Sequence, residues 1–318
     1  MAVRDRLAAL RAQTGVIRLH GHRGARGVMP ENTMAGFRYT LECGVNAVEF
    51  DVLFARDDIP VLTHNLRLMP DMTRDAAGQW LMQPSEPIYT MPLEQLQSYD
   101  MGGLQHGTTY AALYPDQAFL IDQPVPTLAQ FAELMRMPQH ADVWLNLEIK
   151  SNPKHPEFIP PVPSLVSAVL DVLHQHGLQD RTIIQSFDWR ILREVAVQAP
   201  DAVRSFLSDL PATETPAEEN IYEGSLWMDG YSLAAHDGSL PTLIAAAGGQ
   251  VWSPYFADLT KKDMELARAL GLVVNVWTVN TVANLDAMIA LGVDGIITDY
   301  PGRAQRRLLA HGMHWRDS

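Results

Sequence analysis

Eight short apolar runs, a helical pattern after nearly every one, and no Gly-x-Gly-x-x-Gly turn or phosphate loop behind any of them predict an α/β fold of the (β/α)8 barrel type. The runs are 16–22, 47–54, 143–150, 182–187, 202–208, 250–255, 273–279 and 295–299, each apolar enough to be buried on both faces, as strands are in a parallel sheet between helices. Helical periodicity covers 33–42, 164–176, 188–198, 240–247, 261–270, 282–291 and 302–311. Asn32 and Thr260 stand where N-caps belong, and Gly44, Gly177, Gly271 and Gly292 where helices end. Between Asn65 and Thr127 the alternation lapses into Met-, Pro- and Gly-rich sequence with one short helical pattern, 92–99. We therefore expect a single catalytic domain over 1–318 with an insertion at about 66–126, after the second strand. The run 60–65 is expected to pair with that strand as an extension above the barrel, the first residues to form a short helix over one end, and the acidic stretch 211–224 to be a solvated loop.

With 24 Lys+Arg against 37 Asp+Glu the net charge is −13, which argues against a protein that lives on nucleic acid or anionic lipid. A phosphate handled by such a chain must be attracted locally. Cys43, the single cysteine, cannot form an internal disulfide and reads as a buried thiol. Asp5 interrupts any signal-type apolar run, and no later stretch approaches ~18 uncharged apolar residues, so neither a signal peptide nor a transmembrane segment is expected and the expected location is cytoplasmic.

In a barrel of this type catalytic groups come from the C-terminal ends of the strands. Strand alternation points Glu49 and Asp51 into the mouth while Val48, Phe50 and Val52 face helices, and it turns Asn146, Glu148 and Lys150 inward on the third strand. Three carboxylates converging on one small volume cannot all stay ionised without a cation, and hard oxygen donors suit Mg²⁺ or Ca²⁺. His22 and His64 lie at strand ends beside this cluster, whereas His20, one step deeper than His22, reads as a hydrogen-bonded core histidine. Arg23, at a glycine-flanked turn, could fork onto a phosphate. Glu31 reads equally as a partner of Arg23 and as a plain residue beside a helix start; Asp299 reads as a loop-bonding residue outside the site.

These residues resemble the glycerophosphodiester phosphodiesterases. The resemblance rests on His22-Arg23-Gly24, Pro30-Glu31-Asn32-Thr33, Glu49-Phe50-Asp51, Pro60-Val61-Leu62-Thr63-His64, Pro126-Thr127-Leu128, Leu147-Glu148-Ile149-Lys150 and the closing 295–301. It implies a TIM barrel with one divalent cation, Mg or Ca, on Glu49, Asp51 and Glu148. It further implies His22 and His64 as the acid–base pair, Arg23 and Lys150 on the phosphate oxygens, and Trp277 lining the pocket. The implied substrate is a small glycerophosphodiester such as glycerophosphocholine or glycerophosphoethanolamine, cleaved to sn-glycerol 3-phosphate and an alcohol; a cyclic phosphate intermediate is a family proposal. Two departures are visible: the family usually has Asp after the second histidine, where Asn65 stands here, and the stretch from Asn65 to Thr127 matches the family poorly in detail. Lysophospholipase D-type activity on lysolipids and a silent barrel that binds phospho-ligands are the alternatives. An amidohydrolase-like site, suggested by His20-x-His22, fails because no histidine ends the fifth or sixth strand.

Overall fold

The computed structural model describes residues 3–13, 15–211 and 220–316. Its strands are β1 Arg18–Gly21, β2 Ala47–Phe54, β3 Pro60–Leu62, β4 Trp144–Ile149, β5 Thr182–Ser186, β6 Val203–Ser208, β7 Val251–Pro254, β8 Val273–Val276 and β9 Gly295–Thr298. All but β3 are parallel, and pairing of β1 with both β2 and β9 closes the eight into a barrel. β3 runs antiparallel to the upper end of β2, with Leu62 opposite Val52, the extension expected of 60–65.

Helices Met34–Glu42, Leu128–Met135, Val162–Gln175, Trp189–Gln198, Leu240–Ala246, Lys261–Ala269, Val282–Leu291 and Pro301–Ala310 form the outer ring. The second of these was not foreseen: it is eight residues long, five of them buried, and starts in a capping box between Thr127 and Gln130. Helix Val3–Leu10 covers the lower end, where Leu10 packs with Ile183, Val203, Val251 and Val273. The insertion holds two short helices, Leu93–Leu96 and Thr109–Leu113, rather than one.

Other local expectations need correcting. Thr33, not Asn32, caps the first ring helix by accepting from Gly36 N; Asn32 sits at φ 52° with its side chain turned to Asp51. Cys43 is only half-buried. Within the supposedly solvated acidic stretch, residues 212–219 lie outside the described residues, while Asn220 and Ile221 are buried, Asn220 donating to Phe187 O and Leu207 O. Residues Pro156–Gln175 have the length and hydropathy of a membrane span, against expectation, but Leu165, Val166, Val169 and Leu173 are buried against the barrel and its neighbouring helices.

Packing fixes which way the strands face. Phe50 on β2 meets Phe37 at 6.1 Å and Phe131 at 4.6 Å, ring to ring, so the odd positions Glu49 and Asp51 turn inward. Followed round the barrel, the strand pairings stack the inward side chains in layers of four from alternate strands. From the floor upward the layers are Arg18, Trp144, Val203, Val273; then Ala47, Ile183, Val251, Gly295; then His20, Asn146, Ser205, Asn275; then Glu49, Gln185, Ser253, Ile297. Continued to the strand ends and just past them, the mouth holds His22, Glu148, Leu207, Trp277 and above them Asp51, Phe187, Tyr255, Asp299.

Candidate active site

A cavity of about 320 Å³ opens at the mouth, lined on one side by His22, Arg23, Arg26, Glu49, His64, Glu148, Lys150 and Gln185 and on the other by Phe187, Leu207, Trp277, Thr278 and Ile297. Of the eight residues expected to act as acid–base, phosphate, pocket or metal groups, all but Asp51 line it, and Asp51 lies just behind, buried against Arg23 and Asn32.

The turn after β1 sets the first group. Arg23 adopts the left-handed φ of 50° and Gly24 one of 87°, a fold-back that only glycine takes without cost at the second position. The turn aims the Arg23 backbone N–H at Glu49 Oε2, 2.9 Å away. The Arg23 guanidinium, expected to be open to a phosphate, is already engaged: Nη1 donates to Glu31 Oε1 at 2.9 Å and Nε lies 3.3 Å from Asp51 Oδ2. Glu31 is therefore buried and a partner of Arg23, which resolves its two readings. Its second oxygen accepts from the Tyr110 hydroxyl of the insertion, and Tyr110 in turn accepts from Arg26 Nη1 at 3.3 Å.

The two imidazoles are held differently. His22 Nδ1 is 2.7 Å from Asp299 Oδ1, and its Nε2 lies 3.9 Å from Glu49 Oε2. Asp299, which reads from the sequence as a loop-bonding residue, instead binds side chains: besides His22 it accepts from Arg26 Nε at 2.9 Å, Arg26 Nη2 at 3.1 Å and Asn280 Nδ2 at 2.6 Å. Burial pushes the His22 imidazole down to about 4, outweighing the pull of Asp299, so the ring is neutral near pH 7. His64 follows β3; its Nδ1 is 2.9 Å from Asn65 Oδ1 and its Nε2 3.1 Å from Lys150 Nζ. Lys150 also pairs with Glu148 Oε1 at 2.9 Å, so this ammonium, too, is engaged within the site. His20 is buried as expected, yet its Nδ1 has no hydrogen-bond partner among the described residues.

Glu49, Asp51 and Glu148 bring one carboxylate oxygen each to within 4.8 Å of one another, all buried. Burial and the two neighbouring carboxylates hold Glu49 well above the usual carboxylate range. Burial would raise Asp51 as well, but Arg23, His64 and Lys150 outweigh it and keep that group low. Asp51 Oδ1 is buried without a hydrogen-bond partner among the described residues. An unmet anionic oxygen beside two others is the donor set a hard divalent cation takes, so these residues fit such an ion. Gln185 and Arg26 were missed in the sequence; Gln185 Nε2 donates to Glu49 Oε1 at 3.1 Å. Trp277 stands on the apolar side, its Nε1 donating to Ser253 O at 2.9 Å and its ring edge-on to Phe187 at 5.4 Å.

A parallel barrel whose mouth combines two imidazoles, a buried cluster of three carboxylates and guanidinium groups has the parts that hydrolysis of a phosphate ester requires. The profile of the glycerophosphoryl diester phosphodiesterase family matches residues 22–303, and the chain belongs to that family. A glycerophosphodiester phosphodiesterase of Caldanaerobacter subterraneus subsp. tengcongensis is 26% identical over 280 residues, covering 88% of this chain and 93% of that one. A crystal structure of a Silicibacter pomeroyi protein assigned as a glycerophosphoryl diester phosphodiesterase superposes with a TM-score of 0.87 at 41% identity, covering 99% of this chain and 100% of that one. An Oleispira antarctica phosphodiesterase, solved in complex with the product sn-glycerol 3-phosphate, shares the fold with a TM-score of 0.66 at 21% identity, over 93% of this chain and 98% of that one. Members of the family are generally dependent on a divalent metal, in keeping with the buried acidic cluster.

Proposed function

We propose that the protein hydrolyses small glycerophosphodiesters, glycerophosphocholine and glycerophosphoethanolamine among them, to sn-glycerol 3-phosphate and the free alcohol, with His22 and His64 as the acid–base pair. One observation carries the reading: each imidazole has its Nδ1 held by a side chain, at 2.7 Å and 2.9 Å, and both rings border one cavity with Glu49 and Glu148. A ring fixed through Nδ1 turns Nε2 the other way, that of His22 lying 3.9 Å from Glu49 Oε2 and that of His64 3.1 Å from Lys150 Nζ, which must yield it for proton transfer.

Glu49, Asp51 and Glu148 would hold one divalent cation, Mg²⁺ or Ca²⁺, which when bound offsets charge on a phosphoryl oxygen. Arg23 and Lys150, kept in place by Glu31, Asp51 and Glu148, add positive potential at the same spot inside a chain of net charge −13. One imidazole takes the proton of the attacking oxygen as its bond to phosphorus forms; the other returns a proton to the alkoxide as the phosphorus–oxygen bond to the alcohol breaks. Trp277, Phe187 and Leu207 seat the carbon skeleton and exclude bulk water from that side.

A second reading, lysolipid hydrolysis of the phospholipase D type, draws on the insertion, where Leu113, Phe119 and Ile121 are exposed. Of its methionines only Met82 is exposed; Met72, Met91 and Met101 are buried as packing. The test is release of glycerol 3-phosphate from glycerophosphocholine and glycerophosphoethanolamine, with EDTA and then with Mg²⁺ or Ca²⁺ restored. Turnover that EDTA removes and metal restores is the expected result. No turnover in the presence of metal, with choline released from lysophosphatidylcholine instead, would replace the first reading with the second.

A further inference from the structure

Directly beneath the catalytic cavity lies the barrel layer His20, Asn146, Ser205 and Asn275. Branched apolar side chains ordinarily fill a barrel at this level. Here all four residues are polar, and none is more than 1% exposed. Ser205 Oγ meets Ser253 Oγ at 2.8 Å. The others are unmatched: His20 Nδ1 and both amide atoms of Asn146 and of Asn275 have no hydrogen-bond partner among the described residues, and neither has Oε1 of Gln185 in the layer above. Buried polar groups in folded proteins are nearly always paired, with protein or with ordered water.

The chemistry of the set selects its ligand. A cation would satisfy the amide oxygens and leave two NH₂ groups unmet, and an anion would do the reverse. Water, which both donates and accepts, matches all of them. The surroundings give it room. A cavity of about 750 Å³ at the floor of the barrel is lined by Arg18, Ala47 and Trp144 and reaches up to His20. The catalytic cavity reaches down to Glu49, Gln185 and Ile297, so only this layer separates the two. Just below it Gly295 lets the Asn275 amide and the His20 ring come close to the backbone, because a Cβ there would lie 2.3 Å from Asn275 Oδ1 and 3.1 Å from His20 Nε2.

We propose that this layer is an internal water-binding site, a short chain of waters held by His20, Asn146, Asn275 and Gln185 that joins the floor cavity to the catalytic cavity. Gln185 is its upper link, since its Nε2 already donates to Glu49. Resting on the hydrolase reading above, the chain gives the reaction centre a source of water from below while substrate fills the mouth. At about three hydrogen bonds per buried water, the unmatched atoms call for about two waters or more.

Oxygen-17 magnetic relaxation dispersion counts long-lived internal waters in solution. The wild type is expected to show about two more than an Asn146→Leu/Asn275→Leu variant of unchanged circular dichroism; equal counts overturn the proposal. Should that variant fail to fold, wild-type crystals under xenon pressure decide the matter. Water density bridging His20 Nδ1 to the amides upholds the site, whereas xenon in the layer, the mark of a dry void, refutes it. Neither measurement needs turnover, so a failed diester assay leaves the water site standing, and a dry layer leaves the hydrolase reading standing.

Discussion

β1, β2, β4 and β9 lead into His22, Asp51, Lys150 and Asp299, whereas β5, β6, β7 and β8 lead into Phe187, Leu207, Tyr255 and Trp277. One half of the mouth is thus a closed web of charge: His22 on Asp299, Asp299 on Arg26, Arg23 between Glu31 and Asp51, Lys150 between Glu148 and His64. The other half is an aromatic wall in which Trp277 packs on Phe187 and Tyr255, with ring centroids 5.4 and 5.5 Å apart. The difference teaches a division of labour. On the proposed reading, the groups that hold a proton or a cation sit within a web of ion pairs and hydrogen bonds, and the groups that fit a carbon skeleton sit where shape suffices.

Substitutions on the two halves should therefore fail in different ways. The largest effect is expected from His22→Ala, which should lower kcat on the order of 10³-fold or more with an unchanged melting profile; activity like the wild type's on glycerophosphocholine would remove His22 from the chemistry. Asp299→Asn should come next, on the order of 10²-fold in kcat with KM little changed, because the amide keeps the shape but loses the charge that steers the His22 tautomer. An effect confined to KM would show that Asp299 acts on substrate rather than on His22. Trp277→Ala, across the mouth, should instead raise KM about tenfold and spare kcat within a few-fold, the loss of one apolar contact. If kcat fell as far as for Asp299→Asn, the division between the halves would be wrong.

The smallest expected effect lies below both halves. Burial holds His20 down at about 3, against about 6.5 in the unfolded chain, so the unfolded state binds the extra proton between those values. The stability this neutral ring contributes is complete above pH ~6.5 and is lost as pH falls toward 3. Denaturant unfolding should show a loss of about 2 kcal/mol from this group between pH 7 and pH 5, absent in His20→Leu. An equal pH slope in both proteins would mean that His20 is not buried in neutral form.

Much of the barrel and of the carboxylate cluster could be read from alternation alone, because parity on a strand is a local property: once Phe50 faces a helix, Glu49 and Asp51 must face in. What could not be read depends on partners distant in the chain. Tyr110 finds Glu31 across 79 positions, and Asp299 finds His22 across 277, with no periodicity to signal either. Asp299 stands one residue past β9, where alternation gives no firm direction. Helix Leu128–Met135 is hidden for another reason: at eight residues it spans about two turns, too few for a helical period to stand out. Asn32 was misread because a residue suited to capping can equally occupy a left-handed turn, and here it does so to hold Asp51.

The Tyr110 hydroxyl gives the insertion a bearing on how such enzymes diversify. A rim segment that merely covered the mouth could be exchanged between relatives like a cassette. This one reaches inward to Glu31 and Arg26, and its Tyr114 ring lies 4.7 Å beneath the Arg26 guanidinium. Replacing it with a foreign segment would strand a buried carboxylate and loosen the arginine that braces Asp299. The outer loop and the charged web are therefore bound to change together, and swapping the former without the phenol at position 110 should be a dead end for evolution and engineering alike.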